Sequence, residues 1–510
     1  MQGCTLVIFG GTGDLTKRKL IPAVYRLFCE RGQLADFHVL AVGRRKKTDE
    51  EFRAEMREAV QAETGKALSD VQWDCLAERI GYETLDFAME TMDYGRLENR
   101  LRKMESEWAA GSPSSASALS GVANPSGEPN PTFGNRLYYL AVAPEYFTII
   151  VRHLSETGMV SKNNDNGFRR VLVEKPFGTS LPDAMELNRH LESVLNEEDI
   201  FRIDHYLGKE MLQNILAVRF GNAVFEPLWN HRHIDHVRII SFETLGVEGR
   251  GGYFDKAGIL KDMVQNHLLQ MLALVSMEPP IRLDSESIRD EKVKVLRALR
   301  PFTPESAAKN IIRGQYGAGV KTTGSGEIIP LPAYRSEDRV APDSNTETYV
   351  LLKTWVDNIR WGGVPFYLES GKRMSRKDTS IIIQFKPLSG AQAYPEFGQS
   401  VANRLVFSIQ PREGFHFAVN GKRPDADWAM DEVIMEYCQS CRADNNSPEA
   451  YERLLLEAYR NNAALFARWD ELYHSWRFID TIRSFWDLEP TDFPNYQAGT
   501  DGPGVSAFSG

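Results

Sequence analysis

The sequence predicts two successive domains of different class: an α/β domain built on a buried parallel sheet, then an α+β domain built on a large, mainly antiparallel sheet. In roughly the first two hundred residues, continuous apolar runs typical of doubly buried strands alternate with amphipathic helical segments. Beyond them, longer strands of alternating polarity follow one another without a helix regularly between. A chain of 510 residues also exceeds what one hydrophobic core usually holds. We therefore expect one domain over 1–200 and a second over 201–510.

A glycine-rich turn follows the first predicted strand. Thr5–Phe9 is an unbroken apolar run, and apolar side chains then recur at helical spacing from Leu20 to Phe28. Glycines between a buried strand and a helix permit a tight turn and let a pyrophosphate approach the positive end of the helix. The order G-x-x-G-D-L departs from the usual G-x-G-x-x-G, so a simple glycine turn is the alternative. The turn predicts a Rossmann-like dinucleotide site at Gly10, Gly11, Thr12, Gly13, Asp14 and Leu15.

The end of the second strand indicates which dinucleotide binds. After the apolar run Phe37–Val42, a unit that binds NAD usually carries an acidic residue for the ribose hydroxyls, whereas this chain has two arginines and two lysines at 44–47. A basic, solvated helix start is the alternative, and it fits Lys46 and Lys47 best. Arg44 lies nearest the strand and is our candidate for the 2′-phosphate contact. The predicted cofactor is therefore NADP.

Three further segments belong to the predicted first domain. A strand ends at Leu85–Phe87, where Asp86 and Phe87 would flank the adenine. Residues 111–131 are almost all Ser, Ala, Gly, Pro and Asn, which is typical of a mobile surface loop. Another strand, Arg170–Val173, leads to Lys175. Because open α/β sheets bind ligands at their strand ends, Lys175 is a candidate ligand-binding residue.

The nonapeptide Arg202–Glu210 concentrates reactive side chains. It contains a carboxylate, an imidazole, a phenol and an ammonium, from Asp204, His205, Tyr206 and Lys209. Such a cluster is either a buried ion network or a ligand site, because a protein core tolerates these groups only when they are paired. Lys209 offers a point charge suited to phosphate.

A second cluster lies on a predicted buried helix from about Gly258 to Ser276. Apolar residues surround this helix almost completely. At 100° per residue the polar residues that interrupt them fall within one arc, namely Asp262, Gln265, Asn266, His267 and Gln270. A lone buried histidine is more often a satisfied core residue, which is the alternative for His267. A polar site against an apolar core is nevertheless compatible with the spacing.

Composition and charge argue against several classes of function. The net charge of −10 and the pI near 5.6 do not suit a surface that grips nucleic acid or anionic lipid. No apolar run approaches the ~18 residues of a membrane span, and the N-terminus lacks the pattern of a signal peptide. We expect a cytoplasmic protein with neither a nucleic-acid nor a membrane partner.

Cysteine and histidine spacings do not indicate disulfides or metals. Five cysteines without a dense pattern do not suggest a disulfide framework. The lone C-x-x-C, Cys438 and Cys441, is interpreted as two small apolar side chains, with a redox or metal role as the alternative. Strand alternation would place His231 and His233 on one face and His236 on the other. Arg232 and Arg238 lie nearby and would repel a metal cation. We therefore predict no metal site.

These motifs resemble the glucose-6-phosphate dehydrogenase family. The resemblance rests on the nonapeptide, on Gly249–Phe254, on Asp262–His267, on the strand end at 174–178 and on the basic stretch at 370–377. It implies oxidation of glucose 6-phosphate at C1 to a lactone with reduction of NADP. His267 would take the C1 hydroxyl proton, and Asp204 would orient its ring.

The resemblance also implies the substrate contacts. His205, Tyr206 and Lys209 would hold the 6-phosphate, while Lys175 would bridge sugar and cofactor. The remaining contacts would come from Glu243, Asp262, Lys372 and Lys377, with Arg376 as the alternative to Lys377. The ending of the chain looks unlike that of the animal members, which puts in doubt the second, structural NADP that those members carry.

Two other functions remain open from the sequence. Another NADP-dependent sugar dehydrogenase would not need the phosphate cluster. A non-catalytic NADP-sensing protein could dispense with the base, so the presence of both Asp204 and His267 argues against it.

The predicted strands at 380–385 and 404–409 carry apolar residues on both faces, and an exposed apolar sheet face is an association site. The resemblance implies dimers formed through this sheet, so we expect a homodimer or a dimer of dimers.

Overall fold

The computed structural model describes residues 3–503 except Ala35, Lys66, 89–90, 112–133, 164–166, Thr323, 389–393, 398–400, Asp425, 442–448 and Leu488. The loop expected over 111–131 lies outside the described residues, apart from Gly111 at the end of a helix.

The first sheet is the predicted parallel α/β sheet. Its parallel strands are β1 (Cys4–Phe9), β2 (Phe37–Gly43), β3 (Ile80–Thr84), β4 (Arg136–Leu140), β5 (Arg169–Val173) and β6 (Ile200–Ile203). Among the described residues they lie in the order β6-β5-β4-β1-β2-β3, so the strand order reverses between β1 and β4. Every residue of β1 is buried, as expected for a strand covered on both faces. Open α/β sheets bind their ligands at such a reversal, which is where the glycine turn lies.

Helices connect these strands. The glycine turn leads into helical segments at Thr16–Leu20, Ile21–Tyr25 and Arg26–Glu30, the first and last with π-type hydrogen bonding. The other helices of this half span Asp49–Thr64, Asp70–Ala77, Thr91–Gly111, Phe147–Glu156 and Leu181–Val194. Thr48 and Glu51 form a capping box, so the basic stretch at 44–47 runs directly into a helix start.

The second sheet is large and mainly antiparallel, which confirms the other half of the predicted fold class. Strands of this half are β7 (Ile234–Phe242), β8 (Ile311–Gly314), β9 (Tyr316–Gly317), β10 (Gly319–Thr322), β11 (Ile328–Leu331), β12 (Tyr349–Trp355), β13 (Pro365–Gly371), β14 (Asp378–Phe385), β15 (Arg404–Gln410), β16 (Gly414–Lys422), β17 (Met430–Cys438), β18 (Phe466–Ala467) and β19 (Tyr496–Gln497). The sheet runs β17-β16-β15-β14-β7-β13-β12-β8, and among its described strands only β7 and β13 pair in parallel.

Several helices of the second half pack against its sheet, and others pack against helices of the first half. They span Glu210–Gly221, Gly251–Ile259, Leu260–Leu268, Leu269–Ser276, Ser285–Arg297, Pro304–Asn310, Ala450–Arg460 and Trp469–Trp486. Short 3-10 turns lie at Pro144–Tyr146, Glu197–Asp199, Glu226–Leu228, Glu248–Arg250, Tyr334–Ser336, Pro395–Phe397 and Ala463–Leu465. Within the described ranges, no helix combines the length and the apolar character needed to cross a membrane.

The predicted helix at 258–276 differs from a straight α-helix. Gly258 has a φ of +69°, and a Cβ there would lie 2.2 Å from a carboxylate oxygen of Glu347, so the bend requires glycine. Glu347 then accepts the N–H groups of Ile259 and Leu260, through its carbonyl and its carboxylate, and satisfies the helix start.

Residues 260–268 form π-type turns, so the 100° per residue assumed from the sequence is wrong over this stretch. Residues five apart lie about 140° apart on an α-helix, whereas i→i+5 hydrogen bonding brings them closer to one face. Asp262 and His267 therefore reach the same neighbour, Lys175.

Candidate active site

Asp204 and His267 form a buried pair at the centre of the candidate site. Asp204 comes directly after β6, and His267 lies on the π-type stretch that packs against β7 and β13. The His267 Nδ1 and the Asp204 Oδ1 lie 2.6 Å apart, and the Tyr206 N–H donates to the same oxygen over 2.9 Å. With the carboxylate as acceptor, Nδ1 carries the ring proton, which leaves a lone pair on Nε2.

Lys175 joins this pair to a second carboxylate. It stands just beyond β5, with its Nζ 3.0 Å from the His267 Nε2 and 3.3 Å from the Asp262 Oδ1. Burial disfavours a charged imidazole and the nearby ammonium adds to that effect, so the pKa of His267 lies well below its ordinary value. A neutral imidazole has the form that a general base needs, once the Lys175 ammonium leaves the Nε2 lone pair.

The Asp262 carboxylate forms ion pairs with several cations. Its carboxylate lies 3.3 Å from Lys175 and 3.8 Å from each of Lys372 and Arg250. Burial opposes its ionisation, but these three cations outweigh burial and hold the pKa of Asp262 below its ordinary value. Lys372 also contacts Glu243, so the two carboxylates share one lysine.

The other nonapeptide side chains surround the His267 ring. The His205 and Tyr206 ring centroids lie 4.6 Å and 4.1 Å from that of His267, and the Lys209 Nζ lies 4.4 Å from the Tyr206 centroid. Burial lowers the pKa of Lys209 to about 8, and the positive charge of Lys377 adds to this shift. Two cations that repel each other beside a histidine and a tyrosine form a pocket suited to an anion.

Arg376 and Lys377 differ in their partners. Arg376 lies 3.0 Å from Asp501 and 3.6 Å from Asp378, whereas the exposed Lys377 acts electrostatically on Lys209. The guanidinium is therefore already paired, which favours Lys377 as the phosphate contact.

The glycine turn forms a narrow backbone cradle at the reversal point of the first sheet. Gly10 has a φ of +97°, and a Cβ there would lie 2.1 Å from the Ala141 carbonyl oxygen. A Cβ at Gly11 would lie 2.8 Å from the Ala41 Cβ, and the Gly13 N–H donates to the Gly10 carbonyl over 2.8 Å. These residues fit a pyrophosphate that approaches the main chain next to a helix start. Thr12 and Leu15 are partly exposed in this turn, and Asp14 is exposed.

Arg44 lies at the protein surface beside this turn. It is exposed, its guanidinium lies 5.8 Å from the Tyr146 ring centroid, and within the described residues it is paired with no carboxylate. Lys47, by contrast, pairs with Glu55 at 2.9 Å. An unpaired arginine at the end of β2 fits the 2′-phosphate of NADP.

The adenine candidates follow β3 rather than end it, because that strand stops at Thr84. Asp86 is exposed, but Phe87 is buried and packs edge-on to Phe9 and Tyr146. Phe87 therefore supports the Tyr146 ring that lies under Arg44.

Three of the site residues also approach one another as metal ligands would. Asp204, His205 and His267 offer ligand atoms within 4.8 Å of one another. Both ring nitrogens of His267 already have partners, the Lys175 ammonium at Nε2 and Asp204 at Nδ1. These three residues therefore do not suit a metal ion. His231 and His233 lie in a turn before β7, so the strand alternation assumed for them is wrong.

Two interpretations from the sequence need correction or addition. Cys438 and Cys441 are joined by a disulfide, because the turn that ends β17 brings their Cα atoms to 5.3 Å, so their interpretation as two free apolar side chains is wrong. Sequence reasoning also missed Tyr451, whose ring lies parallel to His205 at 6.4 Å. No local pattern links residues so far apart in the chain.

Fold and site together define a class: an NAD(P)-binding oxidoreductase, here with a buried aspartate–histidine pair next to a cluster of cationic side chains. Family models described as "Glucose-6-phosphate dehydrogenase, NAD binding domain" and "Glucose-6-phosphate dehydrogenase, C-terminal domain" match residues 7–120 with 108–214, and 216–507. The chain belongs to the glucose-6-phosphate dehydrogenase family.

Individual relatives match over nearly the whole chain. Identity is 42% with the glucose-6-phosphate 1-dehydrogenase of Bacillus subtilis and 40% with that of Mycolicibacterium smegmatis, each over 98% of this chain and 94% of the relative. A solved glucose-6-phosphate dehydrogenase in complex with its substrate glucose-6-phosphate has a TM-score of 0.81 at 34% identity, over 98% of this chain and 96% of that one. The enzyme from Mycobacterium avium has a TM-score of 0.78 at 32% identity, over 99% and 95%.

Proposed function

We propose that the protein is a glucose-6-phosphate 1-dehydrogenase, which oxidises D-glucose 6-phosphate to 6-phospho-D-glucono-1,5-lactone and reduces NADP, the first step of the oxidative pentose phosphate pathway. The observation that carries the proposal is the direct contact of Asp204, His267 and Lys175 beside the Lys209 pocket. The pair supplies a base, and the pocket supplies the place for a phosphate.

His267 acts as the base through Nε2. It takes the proton of the C1 hydroxyl, and the imidazolium that forms is stabilised by Asp204 across the 2.6 Å contact at Nδ1. Since Lys175 occupies Nε2 in this structure, the substrate hydroxyl replaces its ammonium there. When bound, NADP supplies the acceptor for the C1 hydride.

The remaining side chains hold the sugar phosphate. His205, Tyr206, Lys209 and Lys377 bind the phosphate, and the dianion relieves the repulsion between the two lysines. Glu243 and Asp262 accept hydrogen bonds from sugar hydroxyls, with Lys372 between them.

The cofactor is held mainly by backbone. Residues Gly10–Leu15 bind the pyrophosphate, Arg44 binds the 2′-phosphate, Asp86 and Phe87 border the adenine, and Lys175 lies between cofactor and sugar. The support is the cradle that a Cβ would fill at Gly10 and the unpaired state of Arg44 within the described residues.

A spectrophotometric assay of nicotinamide reduction tests the function. Glucose 6-phosphate and glucose are compared, each with NADP and with NAD. We expect turnover with glucose 6-phosphate and NADP, and a kcat/KM for free glucose lower by at least about 10²-fold, because the charged pocket then lacks its ligand. Faster oxidation of free glucose would indicate another NADP-dependent sugar dehydrogenase.

We also propose a homodimer or a dimer of dimers assembled through the second sheet, with the domains at 1–200 and 201–510 and a cytoplasmic location. The outer strand β17 supports the assembly, since Val433, Ile434 and Met435 are each about half exposed. Sedimentation velocity at micromolar concentration tests it, and a single species at the 57.7 kDa chain mass would contradict it.

A further inference from the structure

The Cys438 to Cys441 disulfide lies at the surface, at the end of β17. Cys441 is exposed and Cys438 is partly exposed, so a reductant can reach the bond. Arg412 lies beside it, with its Nη2 3.4 Å from the Cys441 Sγ and 4.0 Å from the Cys438 Sγ. A neighbouring arginine stabilises the thiolate form of cysteine, which is the form that takes part in thiol–disulfide exchange.

The disulfide loop holds the turn that joins β15 to β16. The Gln439 and Ser440 N–H groups donate to the Glu413 carbonyl over 2.8 Å and 3.3 Å. The Glu413 N–H donates back to the Ser440 Oγ over 3.3 Å. Both residues between the cysteines therefore bind the backbone of Glu413.

One hydrogen bond and one electrostatic interaction connect this turn to the phosphate pocket. The negative charge of Glu413 acts on Lys209, and each group is among the charges that shift the pKa of the other. The Gln439 Oε1 accepts a 2.9 Å hydrogen bond from Asn214, on the helix Glu210–Gly221 that starts directly after Lys209. A movement of the loop would therefore change the surroundings of Lys209.

We propose that Cys438 and Cys441 form a reversible thiol–disulfide site, reduced by a dithiol, that sets the position of Glu413 against Lys209 and thereby the affinity for the substrate phosphate. The affinity part rests on the proposed function. A disulfide in a protein placed in the cytoplasm is usually transient, either catalytic or redox-sensing, which agrees with a C-x-x-C at an exposed turn.

The exchange balances as a two-electron step. A thiolate of the dithiol attacks the Cys441 Sγ, a mixed disulfide forms, and Cys438 leaves as a thiolate. The second thiol of the reductant then attacks its own sulfur in the mixed disulfide and releases Cys441. The protein gains two electrons and two protons, and the dithiol becomes a disulfide.

The oxidised form should bind the phosphate more weakly. In that form the loop holds the Glu413 backbone, and the negative charge of Glu413 acts on Lys209 and opposes an incoming dianion. Reduction frees the turn, so Glu413 can withdraw and no longer opposes the dianion. Because Glu413 raises the pKa of Lys209, the comparison is made well below pH 8, where Lys209 stays charged. We expect the Kd for glucose 6-phosphate to fall about fivefold, the lower end of the usual coupling between two sites.

The test uses the full-length protein equilibrated in mixtures of reduced and oxidised dithiothreitol. Labelling with N-ethylmaleimide followed by intact-mass measurement counts the free thiols, and calorimetry gives the Kd for glucose 6-phosphate. We expect two additional labels in the reduced form, together with the fall in Kd and no change in the KM for NADP. An unchanged Kd, or the absence of the two labels, would overturn the proposal.

Three variants separate the causes. Cys438→Ser with Cys441→Ser should bind substrate like the reduced form under all conditions. Glu413→Gln should keep the titratable disulfide but lose the redox effect on Kd. Cys75→Ser, which removes an exposed cysteine elsewhere, should behave like the parent protein. If both redox forms bind glucose 6-phosphate but neither oxidises it, the proposed function fails, while the Kd comparison still decides this inference.

Discussion

The proposed sugar site and the proposed cofactor site of this protein are built in opposite ways. The sugar site is made of buried charged groups already paired with one another, such as Asp262 with Lys175 and Lys372. The cofactor site is made of backbone at a glycine turn and of one exposed arginine, Arg44. Removing one partner of a buried ion pair strongly destabilises the fold, whereas removing an exposed cation changes the stability little and matters only for ligand binding. Changes in the first site should therefore affect turnover and folding, and changes in the second should affect affinity alone.

The largest effect should follow from His267→Asn. The amide keeps polarity and approximate size but cannot take the hydroxyl proton, so kcat should fall by about 10²–10⁴-fold. Binding of glucose 6-phosphate, measured by calorimetry, should persist because the phosphate contacts remain.

Asp204→Asn is the matched control for the pair. It leaves the base in place but poorly oriented, so we expect a smaller loss of kcat. A near-normal kcat in the His267 variant, or no change in kcat and KM for the Asp204 variant, would remove that residue from the mechanism.

The second effect concerns the stability of the fold next to the proposed sugar site. Lys292 and Glu471 lie 2.8 Å apart with both side chains fully buried, and Gln270, on the helix Leu269–Ser276 that follows the His267 stretch, bonds to both. Glu471→Gln should lower the free energy of unfolding by about 3–5 kcal/mol, because Lys292 is left as an uncompensated buried charge.

Near the cofactor site, Glu55 pairs with Lys47 at side-chain exposures of 26% and 21%. Glu55 also contacts Lys17, so Glu55→Gln weakens two partly exposed pairs and should cost about 1–2 kcal/mol, still less than the buried pair. Urea unfolding of both variants gives the comparison, and equal losses would contradict the contrast between the two regions.

The pattern of the proposed cofactor site can be recognised in the sequence more directly than that of the proposed sugar site, for a physical reason. The strand, the glycine turn and the helix follow one another in the sequence, so their pattern can be recognised within one short segment. The contact between Asp204 and His267 joins segments far apart in the chain, and only the family resemblance indicated it.

Other features depended on geometry that the sequence does not show. The π-type turns at 260–268, which bring Asp262 and His267 together, leave no signature in apolar spacing. The antiparallel pairing of β18 with β6 returns the C-terminal region to the first sheet, and Phe466–Ala467 is too short to be predicted. The disulfide was missed because two cysteines without a dense pattern rarely pair.

The third effect belongs to the exposed arginine. Arg44→Ala should raise the KM for NADP by about 10–150-fold, because a hydrogen bond to a charged group is worth about 1.5–3 kcal/mol. NAD lacks the 2′-phosphate, so its KM should change little. The paired Lys47 offers a control, since Lys47→Ala should leave both constants nearly unchanged. Equal changes for NADP and NAD in the Arg44 variant would contradict the assignment.

The smallest predicted effect is a pH dependence of the affinity for glucose 6-phosphate, which results from the burial of Lys209. Burial lowers the pKa of Lys209 to about 8, so the ammonium is charged below that pH and loses its proton as the pH rises through it. Phosphate affinity is therefore nearly complete one pH unit below the pKa and decreases as the pH rises through it, and the KM for glucose 6-phosphate should be about tenfold higher one pH unit above.

The acid side should behave differently, because the pKa of His267 lies well below its ordinary value and kcat should stay constant down to pH 6.5. Lys209→Arg keeps its charge over this range, so this variant should lose the alkaline rise in KM. The KM for NADP, measured in parallel, should show no matching rise. A KM for glucose 6-phosphate that stays flat to about pH 10 in the parent protein would show that the phosphate does not depend on the Lys209 ammonium.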